Sequence, residues 1–407
     1  MVDSYGGSFL SPLLPLFQRK FALSRSRVGL MMSLLSFSAS LCQPLYGALS
    51  DRFRRPWLAI LGPALAAGFI GAVGLAPRYS LLLGLMLLGG AGIAAYHPAG
   101  VVLASQASGR RKGLGVSIFV TGGAAGYATA PLLSQFLIQR VGLERSFVAG
   151  VAGLVMSLLL WIQLRRVTAP PRPPHATSAG RELGAVWKPL LLLNLISATR
   201  AAVSVGLTTF LPLYLDELGR GSLIGQATSL LLYGGTVGGL LGGAASDRLG
   251  HRRVVLLSGL IGCIVMGAAA FAPGWGLTWV DSAWHPARPP AALSVPLQAE
   301  AHSLPPPTAA LWSIVALFAL GSLALQAAIP AGVVMAQELA PQNAGTVSSL
   351  MTGFSWGVGS FLAPLIGKLA DLRGLLVAFQ IIATLPLFTA LCAFFLPRTP
   401  EGSPPPP

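Results

Sequence analysis

Four ionisable side chains lie inside apolar runs of this 407-residue sequence: Asp3, His97, Arg200 and Glu338. An ionisable group near the centre of a bilayer costs about 2.5–3.5 kcal/mol on insertion scales, so such groups need partners or a wet cavity. Their types define the available chemistry. A carboxylate and an imidazole take up and release protons, and the imidazole does so near neutral pH. A guanidinium offers planar donors that match a carboxylate or phosphonate. Around Arg200, the residues Asn194, Ser197, Ser204 and Thr208 recur at three- and four-residue spacing, a polar stripe on an apolar helix. The functional reading is that Arg200 binds an anionic group while Asp3 or His97 carries a coupling proton. Plainer readings stand beside it: an Asp3–Arg200 pair that is purely structural, Asp3 in the cytoplasmic interface, or His97 bonded within a helix bundle. Glu338 lies near a helix end, where a gate hydrogen bond suits it better than substrate contact.

The elements that position these residues follow from composition. Hydrophobic residues make up 54% of the chain and charged residues 10%, against about 25% charged in soluble domains. Runs of about 20 apolar residues then define an all-α membrane protein. The spacing predicts twelve transmembrane helices, over 2–18, 25–49, 56–76, 79–105, 112–138, 145–165, 188–215, 222–246, 253–272, 309–338, 344–367 and 374–396. Met1 falls inside the first, so either that helix enters the bilayer abruptly or the start of the chain is missing. No cleavable signal peptide is evident. The net charge of +15 sits in short loops between apolar runs, which points to membrane orientation and not to a nucleic-acid partner. Lys and Arg are more numerous in the loops that are cytoplasmic if both termini are, although Arg19, Lys20, Arg25 and Arg27 oppose the bias. The expected location is a plasma membrane of the bacterial inner-membrane kind, with both termini cytoplasmic.

Cys42, Cys263 and Cys392 are scattered through apolar segments and fit neither a disulfide framework nor a metal site. No Ser/His/Asp set, metal spacing or phosphate loop stands out, so neither an enzyme nor a metal or organic cofactor is expected.

Internal repetition organises the chain. Leu14-Pro15-Leu16-Phe17 returns as Leu211-Pro212-Leu213-Tyr214, an offset of 197, and Asp51 returns as Asp247, an offset of 196. Pro98-Ala99-Gly100-Val101-Val102 returns letter for letter at Pro330–Val334, an offset of 232, and Gly126 with Pro131 returns as Gly359 with Pro364, an offset of 233. The jump between these pairs marks an insertion at 273–308, rich in Pro and Trp. The expected organisation is a six-helix bundle over 1–165, a linker over 166–187, a second bundle over 188–396 and a disordered tail over 397–407. The same offset of 197 sets Asp3 against Arg200, opposite charges at equivalent places.

Two similar six-helix halves are a transporter architecture, with the site near mid-membrane between them. The loop at 243–253 fits the signature Gly-x-x-x-Asp-Arg/Lys-x-Gly-x-Arg/Lys-Arg/Lys throughout, with Gly243, Asp247, Arg248, Gly250 and Arg252 in place. The copy at 47–55 keeps Gly47, Asp51, Arg52 and Arg55 but has Arg54 where glycine is expected. Here the chain resembles the major facilitator superfamily. Tyr96-His97-Pro98, Ser117-Ile118-Phe119, Gly122-Gly123, Ala336-Gln337-Glu338-Leu339-Ala340-Pro341 and Ala370-Asp371 resemble its fosmidomycin-resistance branch. Ala99 and Val102 stand where efflux members of that branch often carry Glu and Arg.

The resemblance implies that the signature loops act in gating, the first bracing helix eleven near Asn343 and Gly345. Charge anchoring of the loops is the alternative. In helix eight, Gly234/Gly238/Gly242 and Gly235/Gly239/Gly243 form two rows suited to close packing. The expected protein works as a monomer in the lipid bilayer by alternating access, with a small-molecule substrate and the proton gradient as energy source. Efflux of a small polar or anionic solute or antibiotic leads. Uptake or exchange of an organic acid is the second reading, and a non-transporting receptor or scaffold is a different class.

Overall fold

The computed structural model describes residues 2–43, 45–46, 56–108, 112–165, 183–271 and 308–397. The first signature loop (Gly47, Asp51, Arg52, Arg55), most of the linker and of the insert, and nearly all of the tail lie outside the described residues.

The described residues are helical in every long segment. In the first half, α1 covers 2–20, α2 starts with Arg25–Ser36, α3 is Trp57–Gly71, α4 is Tyr79–Ala107, α5 is Lys112–Val141 and α6 is Val148–Leu164. In the second, α7 is Trp187–Glu217, α8 is Ile224–Leu249, α9 is His251–Ala270, α10 is 308–339, α11 is 344–373 and α12 is Leu375–Phe394. Among the described residues, eight spans are long and apolar enough to cross a membrane. Burial separates their positions. The hydrophobic window of α6 is 17% buried, a lipid-facing rod, whereas that of α7 is 72% buried and therefore central.

Four of the described helices depart from the regular form the sequence pattern suggests, two, α2 and α11, at π-helical segments and two at glycine or proline. The first of the latter two, α1, is not a continuous α-helix: it runs as 3-10 turns at Val2–Tyr5 and Ser8–Leu13, then as α-helix at Leu14–Lys20. Gly7 takes φ +117°, a conformation open to glycine, and Pro12 and Pro15 lack the N–H groups of an α ladder. The second, α10, stops at Gln326 and restarts at Ala328. Pro330 has no N–H to give the carbonyl four residues back, which is that of Gln326.

Glycine sets how closely helices approach. In α8 the row Gly234/Gly238/Gly242 lies against the backbone of Ala319, Leu323 and Ala327 on α10, with no room for a side chain. The other row is looser: Gly239 has nothing within 4 Å of an added Cβ. Gly250 takes φ +83° at the turn from α8 to α9, which explains why glycine is demanded there and makes Arg54 a real departure in the first copy.

The two halves meet along α2–α11 and α5–α8. At one end of the bundle, α2 and α11 cap each other. Asp371 of α11 accepts from the backbone N–H groups of Arg25 (2.7 Å) and Ser26 (3.1 Å) at the start of α2. In return the Arg25 guanidinium donates to the Ala370 carbonyl at the end of α11 (2.6 Å) and to Glu217 of α7 (2.7 Å). Charge and helix dipole are complementary at both ends. Gly29 and Gly367 allow the approach, since a Cβ at either would stand 2.6 Å from a backbone oxygen of the other helix. Arg19 also pairs with Asp216. On the other seam, Gln135 of α5 donates to the Gly221 and Ser222 carbonyls, and Thr129 bonds Tyr233 at 2.5 Å.

Arg25→Ala is expected to lower stability by about 2–4 kcal/mol, since it strands Glu217 and a helix-end carbonyl. Arg19→Ala, whose side chain is 59% exposed, should change it by no more than about 1 kcal/mol. Thermal unfolding of the purified variants in detergent compares the two; equal effects would refute the cap.

Candidate functional site

Six residues converge on one level of the bundle, counted from the bonded end. Asp3 lies seventeen residues before Lys20, His97 eighteen after Tyr79, and Gly123 eighteen before Val141. Arg200 lies seventeen before Glu217, Gln326 eighteen after Thr308, and Trp356 seventeen before Arg373. At 1.5 Å per residue the five other than Asp3 stand about 25 Å from that end, near the middle of the long helices. Asp3, reached through 3-10 turns, is placed at the same level by its contact with His97.

On the first half, Asp3 meets His97, with Oδ1 2.8 Å from Nε2. Their side chains keep 27% and 24% exposure, so both remain reachable. The carboxylate is seated on Gly123 of α5, where any Cβ would strike its Oδ2. Tyr96 flanks His97 and stacks on Phe119, with centroids 5.9 Å apart, closing the α4 side. The pair is thus one hydrogen-bonded contact between a carboxylate and an imidazole, both partly exposed.

On the second half, Arg200 is 4% exposed. Its Nη1 donates to Oε1 of Gln326 at 2.8 Å, and its guanidinium lies 5.2 Å from the Trp356 ring centroid. The structure thus overturns the Asp3–Arg200 pair: each bonds within its own half, and opposite charges at equivalent places are not partners. The repeat shows why the two sites differ. An offset of 233 maps Gly123 onto Trp356, so the acidic residue rests on a glycine and the basic one on an indole.

The polar stripe of α7 divides. Asn194 accepts from Ser355 of α11 at 2.7 Å, linking α7 to the turn before Trp356. Ser204 and Thr208 are buried, and the Thr208 hydroxyl donates to the Ser204 carbonyl of its own helix at 2.9 Å. Ser197 is half-buried.

The second signature loop is anchored inside its own half. Arg252 donates to the Ala393 (3.2 Å) and Phe394 (2.6 Å) carbonyls at the end of α12, where the helix dipole favours a cation. Glu338 stands 3.6 Å from Nε2 of His251, an ion-pair distance and not a hydrogen bond. Asp247 and Arg248 are exposed, and Gly243 faces Pro330.

Sequence reasoning missed Gln326 and Trp356. Gln326 carried a signal, as the residue whose carbonyl Pro330 leaves unserved; Trp356 is the repeat equivalent of Gly123, whose contact with Asp3 only the structure supplies.

Comparison with known proteins places this geometry. The family model described as Major Facilitator Superfamily matches residues 1–284 and 222–407. The fosmidomycin resistance protein of Escherichia coli (strain K12) is 26% identical over 399 residues, covering 95% of this chain and 88% of that protein. An uncharacterized transporter of Bacillus subtilis (strain 168), YfnC, is 28% identical over 95% of this chain and 87% of its own length. Among solved structures, a bacterial homolog of the human lysosomal transporter Spinster, inward-facing and occupied, superposes with TM-score 0.71 at 16% identity, covering 97% of this chain and 93% of that one. A mutant of the nucleoside transporter NupG gives 0.69 at 13% identity over 97% of this chain and 96% of that one.

The seat of Asp3 is testable. Gly123→Ala should displace the carboxylate from His97 and destabilise by about 1–3 kcal/mol through overpacking. Gly122→Ala, with nothing within 4 Å, should be silent. Imidazole nitrogen NMR shifts of His97 and thermal unfolding report the two effects; a silent Gly123→Ala would refute the seat.

Proposed function

The chain belongs to the major facilitator superfamily and is an integral multi-pass membrane transporter, and we propose that it exports a small polar or anionic solute in exchange for protons. The observation that carries this reading is the division of labour at one level: a titratable Asp3–His97 pair on one half and a fixed cation, Arg200, on the other.

The chemistry runs as alternating access. A solute anion that reaches the middle of the bundle meets Arg200, whose charge no carboxylate among the described residues neutralises. A proton arriving from the opposite side loads the Asp3–His97 pair, which is open enough to exchange it. With both termini cytoplasmic in a bacterial inner membrane, the bonded end at Arg25, Glu217 and Asp371 is extracytoplasmic. The state seen is then closed to the outside, like the inward-facing Spinster homolog it resembles. Loading and release require the α2–α11 and α5–α8 seams to part at that end and close at the other. The names of the E. coli relative and of the multi-drug resistance efflux pump PmrA of Streptococcus pneumoniae, 26% identical over 63% of this chain, favour efflux over uptake.

Reconstitution into proteoliposomes with and without an imposed pH gradient tests the reading against a panel of carboxylates, phosphonates and uncharged solutes. Asp3→Asn and His97→Gln should each remove the dependence on the gradient. Arg200→Ala should raise KM for an anionic solute by about tenfold or more, the value of a charge-assisted hydrogen bond. Unchanged KM and rate in Arg200→Ala would sink the anion site. Gradient-driven transport that survives in His97→Gln and Asp3→Asn would sink the proton pair. Binding without flux would indicate a receptor.

A further inference from the structure

We propose that Gln326 is the positioning residue of the Arg200 site, a neutral acceptor that fixes the guanidinium and leaves its positive charge for a substrate oxyanion. The proposal rests on the reading of Arg200 as the anion-binding group and adds what orients it.

The chain contains its own control. Arg25 and Arg200 are buried alike, at 3% and 4% exposure. Arg25 does structural duty and is neutralised by the Glu217 carboxylate at 2.7 Å while also serving the Ala370 carbonyl. Arg200 has no carboxylate within ion-pair reach among the described residues; it has an amide oxygen and an indole face. A neutral acceptor orients a cation without cancelling it, and a π face attracts a cation without neutralising it. A buried charge left without a counterion is unfavourable unless a ligand or water completes it. One of the guanidinium's five N–H donors is bonded to Gln326. The contacts seen for the guanidinium are this hydrogen bond and the Trp356 ring. The group is held at Nη1 by one amide oxygen and lies over an indole, and its remaining N–H donors suit two oxygens of one substrate group.

The fold places Gln326 deliberately. Pro330 ends the first segment of α10 at Gln326, so the side chain leaves from a helix break and not from a regular turn. Gly235 of α8 makes room for it, since an added Cβ there would stand 3.1 Å from Cγ of Gln326. On the first half Ala94 and Gly123 occupy the equivalent places of Gln326 and Trp356. The holder and the wall thus belong to the arginine site alone.

Two substitutions separate this role from simple packing. Gln326→Met keeps length and volume but removes the acceptor. Gln326→Glu keeps shape and acceptor and strengthens the hold on Arg200, but cancels its charge. If Gln326 merely supports Arg200, Glu is the milder change. If it positions a charge for a substrate, Glu is the worse one. The probes are acetate and inorganic phosphate, with acetamide as the uncharged control. The readout is concentration-dependent protection of the purified full-length protein against thermal unfolding. Wild type should be protected by at least one anion and not by acetamide, and Arg200→Ala should lose that protection. Gln326→Met should bind about three- to tenfold more weakly, and Gln326→Glu about tenfold or more, while its unliganded stability is equal or higher. Wild-type affinity in Gln326→Glu, with protection still lost in Arg200→Ala, would overturn the positioning role and leave the anion site standing. Absence of protection in wild type, or its persistence in Arg200→Ala, would overturn the anion site itself. Should Gln326→Glu not fold, unchanged affinity in Gln326→Met overturns the positioning role.

Discussion

The structure depends on the reciprocal capping of α2 and α11. Each helix supplies the charge that the other's terminus requires: Asp371 for the free N–H groups of Arg25 and Ser26, and the Arg25 guanidinium for the Ala370 carbonyl. These are bonds between halves, made to backbone that each half would otherwise expose. From this end the two helices remain in contact inward. Ser33 reaches the Ser360 carbonyl at 2.5 Å, Phe37 meets Phe361 edge-on, and Gly357 faces Leu41. The seam is charged where the helices end and, apart from the Ser33 bond, apolar or glycine-lined further in, so the charged groups that separation exposes lie at the bundle end, where water can satisfy them.

That arrangement also accounts for a weakness in the orientation signal. Arg19 and Arg25 stand at the helix ends that flank the first loop, against the charge bias, and each is paired there across the seam, with Asp216 and Glu217. Counting Lys and Arg treats every cation as a determinant of topology. Two of those flanking this loop have partners that contacts, not hydropathy, assign.

Much of the fold was legible because lipid leaves the backbone few choices. Apolar runs had to be helices, and the repeated loop and the two sets of offsets had to reflect two related halves. The glycine expected at position 54 of the signature is explained by the positive φ at Gly250, its equivalent. The site was legible in its charged members only. Asp3, His97 and Arg200 stand out against apolar surroundings, but equivalence in a repeat is not contact: Asp3 and Arg200 each bond to helices of their own half. The pairing of Asp3 with His97 is made from a stretch of α1 that runs as 3-10 turns on either side of Gly6 and Gly7, a form periodicity does not announce. Periodicity also misjudged α7, where Thr208 falls on the stripe yet serves its own helix. Gln326 and Trp356 were invisible to a search for charge because one is neutral and the other is apolar, and their role comes from what they do to Arg200.

The level that holds the charges and the seam that holds the halves are joined by a single turn of α11. Trp356 covers Arg200, Ser355 before it bonds Asn194 of α7, and Gly357 after it packs on Leu41 of α2. The chain just before this turn, Leu350–Phe354, is wound as a π-helix, and α2 has the same irregularity at Phe37–Leu41. Such segments relax the i→i−4 ladder and are common at functional sites. On the proposed reading, a solute bound at Arg200 would act on Trp356, whose two neighbours are one bonded within its half and one packed on the other. Coupling between an occupied site and the separation of the halves therefore needs no long path. It requires only that three consecutive residues of α11 face the cation, the parent half and the opposing half, as they do here.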